Sequence, residues 1–138
     1  MPHRRVLVVD DEPRILDIVK YFLEQGGYEV EGATTGEKAL AAARKTSFDV
    51  AVLDIVLAAD SGYEVAGKLK KIKNAENIPV LFMSSKVEMA DLFLENFDGR
   101  AEFLLKPFKK ETLLETIRNL IDGGGREARK PAARAKRK

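Results

Sequence analysis

The chain has 138 residues, 45% of them apolar, which suffices for one domain with a real core. It holds no cysteine and one histidine, His3, so disulfides, thiolate or histidine metal clusters and a Ser-His-Asp triad are excluded within it. No apolar run approaches the roughly 18 residues of a membrane span and the few residues before Asp10 are too short for a secretory signal, so a cytoplasmic protein is expected; the net charge of +2 hides a basic end, residues 126–138, with seven Lys or Arg against one Glu, on a mildly acidic body.

In chain order, strand and helix signals alternate. Arg5–Val9 reads as a strand. Pro13–Gln25 reads as a helix, with Pro13 suited to the first turn, Asp11 as its cap and Gly26-Gly27 as its stop. Tyr28–Ala33 is a second strand whose alternation of Tyr28, Val30 and Gly32 against Glu29 and Glu31 suits a sheet edge. Thr35–Lys45 is a helix, Asp49–Asp54 a buried strand, Gly62–Ile72 a helix and Ile78–Ser84 a strand. Val87–Phe97 is an unusually apolar helix, Ala101–Leu105 the last strand and Lys109–Ile121 the last helix. Five such βα units imply an α/β fold: a five-stranded parallel sheet, doubly wound, with helices on both faces. Gly123-Gly124-Gly125 then separates a domain over 1–122 from a basic tail over 123–138, too poor in apolar residues to fold alone.

Three apolar runs end in charge: Val8-Val9-Asp10-Asp11, Val52-Leu53-Asp54 and Leu104-Leu105-Lys106-Pro107. In an open parallel sheet ligands bind beyond the carboxyl ends of the strands. If these runs are neighbouring strands, three carboxylates and one ammonium share one cleft. Like charges so placed repel, and one carboxyl would tend to keep its proton. A hard cation such as Mg²⁺, which prefers oxygen ligands and is often shared with a phosphate, removes that conflict. Lys106 is a compact charge suited to a phosphoryl oxygen, and Pro107 allows a cis peptide after it. Ser84, ending Val80–Met83, offers a hydroxyl at the same edge. Taken singly, Asp10-Asp11 equally suits helix capping, and Asp54, Ser84 and Lys106 suit ordinary strand ends.

Together these residues resemble the receiver domain of two-component response regulators, over roughly residues 4–122. Asp54 precedes Ser84 by 30 positions and Lys106 by 52, Gly62 follows Asp54 by eight, and Gly99–Phe108 is similar to the family's last strand. The resemblance implies the flavodoxin-like strand order 2-1-3-4-5. It implies that Asp54 is phosphorylated as an acyl phosphate by a sensor histidine kinase or a histidine phosphotransfer protein. Asp11, Asp54 and the Val56 backbone carbonyl would hold Mg²⁺, with Asp10 acting through a metal-bound water. Lys106 and Ser84 would bind phosphoryl oxygens, and Phe103 would change rotamer with Ser84. It implies no substrate turnover beyond the domain's own phosphorylation and dephosphorylation. Ala58 stands where the family usually has proline, Asp60 replaces an apolar residue, and Phe103 lacks the hydroxyl of the commoner tyrosine. Val56 and Lys86 occupy positions that vary with the lifetime of the phosphoryl group.

Met89 and Leu92 are left over from the core-facing stripe of Val87–Phe97 and are candidates for an interaction surface, toward an output protein or a second copy of the chain. Leu16 and Leu23 raise the same question for the kinase. The tail resembles a basic arm able to contact nucleic acid weakly through phosphate backbones. A stand-alone, or nearly stand-alone, phosphoacceptor switch is therefore expected. The rival readings are a receiver-like interaction module that needs no phosphorylation and a nucleic-acid-associated protein acting through its tail. A nucleotide- or flavin-binding protein of the same fold is disfavoured, because no glycine-rich loop follows the first strand.

Overall fold

Strands that are apolar on both sides need cover on both faces. The computed structural model of the chain, which describes residues 4–57, 61–86, 97 and 99–123, supplies that cover. Its elements are β1 (Arg5–Val9), α1 (Pro13–Gln25), β2 (Glu29–Ala33), α2 (Gly36–Lys45), β3 (Val50–Asp54), α3 (Gly62–Leu69), β4 (Val80–Ser84), β5 (Ala101–Leu105) and α4 (Lys110–Ile121). All strand pairs are parallel, and the sheet runs β2-β1-β3-β4-β5, the expected order. Val9 lies opposite Leu53, Leu53 opposite Phe82 and Phe82 opposite Phe103.

Alternation divides the core into two layers. Val6, Val8, Val50, Val52, Leu81 and Met83 face α1 and α4, where Val19, Leu23, Leu113 and Ile117 meet them. Leu7, Val9, Ala51, Leu53, Val80 and Phe82 face α2 and α3, where Ala39, Leu40, Val65 and Leu69 meet them. Leu23, expected as a candidate partner contact, is fully buried in the first layer, and Leu16 is half-buried against it. The helix repeat places residue 23 on the same face as Val19, toward the sheet.

Local chemistry sets the boundaries. Thr35 caps α2 rather than joining it, its Oγ1 accepting from the Lys38 N–H at 3.1 Å. Gly27 lets the chain leave α1 through a positive φ of 95°. Tyr28 precedes β2 instead of starting it, and α3 stops at Leu69, three residues early. A 3₁₀ turn, Lys73–Ala75, follows, tied to the end of α2 by the Asn74 side-chain amide, which donates to the Ala43 and Arg44 carbonyls at 3.3 Å. Of the expected helix Val87–Phe97 only Phe97 lies among the described residues; it is buried, with its ring edge-on to Phe82 at 5.5 Å. Among the described residues no helix is long and apolar enough to cross a membrane.

Gly62 begins α3 directly against the end of β3, its N–H donating to the Ile55 carbonyl at 2.8 Å. A Cβ there would overlap the Asp54 carbonyl oxygen and stand 2.8 Å from the carbonyl carbon and 3.1 Å from Ile55 Cα. Backbone cannot yield as a flexible side chain can. Gly62→Ala is therefore expected to destabilise the fold by at least about 2–3 kcal/mol. Urea unfolding measures this, and a midpoint within error of the parent would contradict the overlap.

Candidate functional site

Helices that return to the start of the next parallel strand leave all strand C-termini at one edge. Asp10 follows β1, Asp54 ends β3, Ser84 ends β4 and Lys106 follows β5. Their backbones continue the sheet pairing: Asp10 N–H to the Ala33 carbonyl at 3.1 Å, Ile55 N–H to Met83 at 2.9 Å and Lys106 N–H to Ser84 at 2.8 Å. The Lys106–Pro107 peptide is cis.

Three of these side chains share one device. Asp10 Oδ1 accepts from the Glu12 N–H at 2.9 Å, Asp54 Oδ1 from Val56 at 3.0 Å and Ser84 Oγ from Lys86 at 3.0 Å. Each polar side chain thus holds the backbone two residues on, a local turn typical of Asp and Ser. The expected cap at Asp11 is corrected here. Glu12 occupies the position before α1 without a side-chain cap bond, and the carboxylate that binds a free N–H near the helix start belongs to Asp10. Asp11, one residue further from β1, is thereby left for the cleft.

Lys106 Nζ donates to Asp54 Oδ2 at 2.8 Å and to Asp10 Oδ2 at 3.2 Å. The Asp10 side chain is wholly buried, and those of Asp54 and Lys106 are 11% and 19% exposed, so water screens these charges little. Burial is the main influence on Asp10 and raises its pKa above the ordinary 3.8, against the lowering effects of the Glu12 N–H and Lys106; the Asp54 charge adds to the rise. Burial alone would lower the Lys106 pKa, but its hydrogen bond to Asp54 and the charge of Asp10 carry it above 10.5, so it stays an ammonium. Oxygen atoms of Asp10, Asp11 and Asp54 lie within 4.8 Å of one another. Asp11 has no hydrogen-bond partner among the described residues. One ammonium against three carboxylates leaves a negative excess, and an oxygen-only donor set fits a hard divalent cation rather than zinc or copper.

The remaining candidates fall at different distances from this centre. Val56 is exposed beside Asp54, bound to it through the backbone. Phe103 is half-buried on β5 against the layer that contains Phe82 and Phe97. Ala58, Asp60, Met89 and Leu92 lie outside the described residues. A feature missed in the sequence is a largely apolar groove of about 390 Å³ beside Lys106, lined by Ile15, Ile18, Phe22, Pro107 and Phe108. Its signal was legible as Ile18, an apolar position of α1 that the core-facing stripe does not need and that is exposed.

A buried carboxylate with a raised pKa costs the fold stability above that pKa, because the folded state binds more protons than the unfolded one. Asp10→Asn keeps the acceptor for Glu12 and removes the charge. In metal-free buffer at pH 7 it is expected to raise Tm by a few degrees, equivalent to about 1 kcal/mol in a domain of this size. The gain should shrink as the pH falls through the raised Asp10 value and vanish below 3.8, where both states are protonated. Added Mg²⁺ should stabilise the parent more than the variant. Calorimetric scans across pH test all three, and a variant less stable than the parent in chelator would refute the argument.

Comparison with known proteins agrees with this geometry. A family model described as response regulator receiver domain matches residues 6–118. PilH of Pseudomonas aeruginosa is 33% identical over 86% of this chain and 98% of its own length. RpaA of Synechocystis, described as a DNA-binding dual master transcriptional regulator, is 35% identical over 85% of this chain, which spans only 48% of RpaA, about half. Among solved structures, chemotaxis response regulator CheY4 of Vibrio cholerae is similar, with a TM-score of 0.75 and 31% identity over 86% of this chain and 99% of CheY4. TrrA of Thermotoga maritima, solved in complex with Mg²⁺ and BeF, has a TM-score of 0.74 and 34% identity over 85% of this chain and 98% of TrrA. Receiver domains bind Mg²⁺ at an acidic pocket, and the Asp10, Asp11 and Asp54 cluster is consistent with one. The sheet order, the converging strand ends and these matches together establish that the chain belongs to the response regulator receiver domain family.

Proposed function

We propose that residues 1–122 form a phosphoacceptor switch in the cytoplasm, taking a phosphoryl group onto Asp54 from a sensor histidine kinase or a histidine phosphotransfer protein, and that residues 123–138 are an appended basic tail. The observation that carries this reading is Lys106 bridging Asp10 and Asp54 in a cleft where water screens charge little, beside an oxygen-only set of acids. Phosphoryl transfer asks for positioning and charge neutralisation more than for covalent help. Asp54 is already oriented: Oδ1 is held by the Val56 N–H and Oδ2 by Lys106. An Asp54 oxygen forms the new bond to phosphorus, while the bond from phosphorus to the donor imidazole nitrogen breaks and its electron pair returns to that ring. Mg²⁺, held by Asp11, Asp54 and the Val56 carbonyl and by Asp10 through water, would offset the charge of the transferring group.

Lys106 stays protonated and neutralises a phosphoryl oxygen. Ser84, buried with its hydroxyl oxygen tied to the Lys86 N–H, has a hydrogen to donate to another. The product bears about one extra negative charge and more acceptor oxygens. Movement of Ser84 toward them opens room for Phe103, which already rests half-buried against the Phe82 layer. That rotation biases a pre-existing pair of surface states. Because a donor imidazole has to reach Asp54, its protein seats beside the cleft, and the Ile15–Phe22 groove next to Lys106 is where an apolar donor face fits. Met89 and Leu92 serve the output side, toward an output protein or a second copy of the chain.

Intact mass after incubation with acetyl phosphate and Mg²⁺ should show one phosphate adduct on the parent, none with chelator and none on Asp54→Asn. Lys106→Ala should slow its formation tenfold or more, in line with loss of one transition-state charge partner. An adduct that survives on Asp54→Asn would sink the assignment. Ile18→Glu should leave modification by acetyl phosphate unchanged yet slow transfer from a phosphohistidine donor protein, whereas Met89→Ala with Leu92→Ala should weaken only partner binding after phosphorylation. Equal donor rates for Ile18→Glu and the parent would remove the groove from the docking surface.

A further inference from the structure

Helices α2 and α3 run back from the cleft edge, so their C-termini lie at the opposite pole of the sheet. A second groove, of about 560 Å³, opens between those two ends. Arg44 of α2, Lys68 of α3, and Lys71 and Lys73 of the segment that follows line it, and among the described residues no acid does. All four cations are exposed, and none forms an ion pair among the described residues. Lys70, between them in the chain, differs: its ammonium sits over the Phe97 ring, 5.3 Å from the centroid, and it does not line the groove.

Basic side chains at a helix end often answer its unpaired carbonyls. Here other groups perform that task. The Asn74 side-chain amide donates to the Ala43 and Arg44 carbonyls of α2 at 3.3 Å. The backbone N–H groups of Lys70, Lys71 and Ile72 donate to the Ala66, Lys68 and Leu69 carbonyls of α3 at 3.2, 3.1 and 2.9 Å. The macrodipoles favour positive charge at this pole, but they do not require four cations around one concavity, where like charges repel.

The groove is also built in advance of any ligand. Asn74 ties the end of α2 to the segment after α3, and Leu69 and Ala75 are buried on either side of that segment. Its volume falls within the roughly 300–1,000 Å³ of small-molecule sites, and Leu40 and Ile72 give it an apolar part. No aromatic side chain lines it, unlike the anchored core of a protein interface. A singly charged anion would satisfy one or two of the cations. All four are matched by a ligand that carries several negative charges close together. A guanidinium fork beside ammonium point charges suits phosphate oxygens.

We propose that this groove binds a compact polyphosphate, a short chain of phosphoanhydride-linked phosphates, either free or as the end of a nucleotide. The proposal does not depend on the phosphoacceptor reading, since it uses no residue of the cleft.

The test is a titration of the isotope-labelled full chain with sodium tripolyphosphate, followed by NMR in chelator, where the acids of the cleft hold no metal and repel phosphate. Saturable shifts are expected at the backbone amides of Arg44, Lys68, Lys71 and Lys73 and at the Asn74 side-chain amide. Orthophosphate, with fewer charged oxygens to share, should bind there about tenfold more weakly or worse. ATP supports the proposal whether it binds more tightly than tripolyphosphate, its nucleoside resting on Leu40 and Ile72, or equally tightly through its phosphates alone. The full chain carrying Arg44→Gln, Lys68→Gln, Lys71→Gln and Lys73→Gln should bind tripolyphosphate about tenfold more weakly or worse, as expected for loss of charge-assisted hydrogen bonds. A control with Arg14→Gln, Lys20→Gln, Lys38→Gln and Lys109→Gln removes the same charge elsewhere and should lose little. Equal losses in the two variants, shifts confined to signals outside the groove, or no saturable shift overturn the proposal. So does citrate or orthophosphate binding as tightly as tripolyphosphate. Modification of Asp54 by acetyl phosphate with Mg²⁺ reports separately on the cleft and should be unchanged in the groove variant. Should the fourfold variant lose it, the exposed pair Arg44→Gln and Lys73→Gln repeats the test, and affinity equal to the parent's then overturns the proposal.

Discussion

Among the described residues Lys106 is the one cation set among three carboxylates, and the arrangement of the cleft follows from that ratio. A buried ion pair repays its desolvation only when its remaining valences are satisfied. Here the ammonium is satisfied twice over, while the acids are in excess: burial pushes Asp10 toward its neutral form, and Asp11 has no hydrogen-bond partner among the described residues. A domain selected for stability alone would not keep such an excess. What keeps the acids in place is backbone: the two-residue turns at Asp10, Asp54 and Ser84 fix each side chain at the moment its strand ends. The charge imbalance and its rigid mounting belong together, because a site that waits for a cation and a phosphoryl group must not collapse in their absence.

Parallel topology also sorts charge between the two poles. Strand C-termini and helix N-termini share the cleft edge, where the macrodipoles favour negative groups, and helix C-termini share the other, where they favour positive ones. The acids of the first pole and the lysines of the second agree with that field. At the second pole, though, the side-chain amide of Asn74 already answers the end of α2, so the lysines exceed what the helices ask for.

Much of this was legible in the residues. Continuous apolar runs ending in Asp10, Asp54 and Lys106 identify buried parallel strands and their charged ends, while the strand order of the sheet follows from the family resemblance and not from the runs themselves. The alternation in β2 correctly marks an edge. What failed was local. Asp11 looked like a helix cap because capping is read from residue type and distance to the first turn, whereas the competing Asp10 is held by its own strand and reaches the same N–H region first. Leu23 looked available to a partner because its heptad position is ambiguous until the crossing of α1 over the sheet is known. The 3₁₀ turn at Lys73–Ala75 and the cationic groove arise from a contact between residues 30 apart, which no periodicity reports.

The connection from β3 to α3 is pinched shut at its base. Val56 pairs with Ser61 in an isolated antiparallel bridge, Gly62 binds the Ile55 carbonyl, and the Ser61 hydroxyl accepts from the Glu64 N–H. Both ends of the connection are therefore anchored within one turn of Asp54, and closing it costs little more for a longer segment than for a short one. Evolution is free to rewrite what lies between, as Ala58 and Asp60 show in their departure from the family pattern, without disturbing the carboxylate at its root. The same closure makes the span between Val56 and Ser61 a natural graft point, where a foreign peptide could be spliced in as a reporter without displacing Asp54.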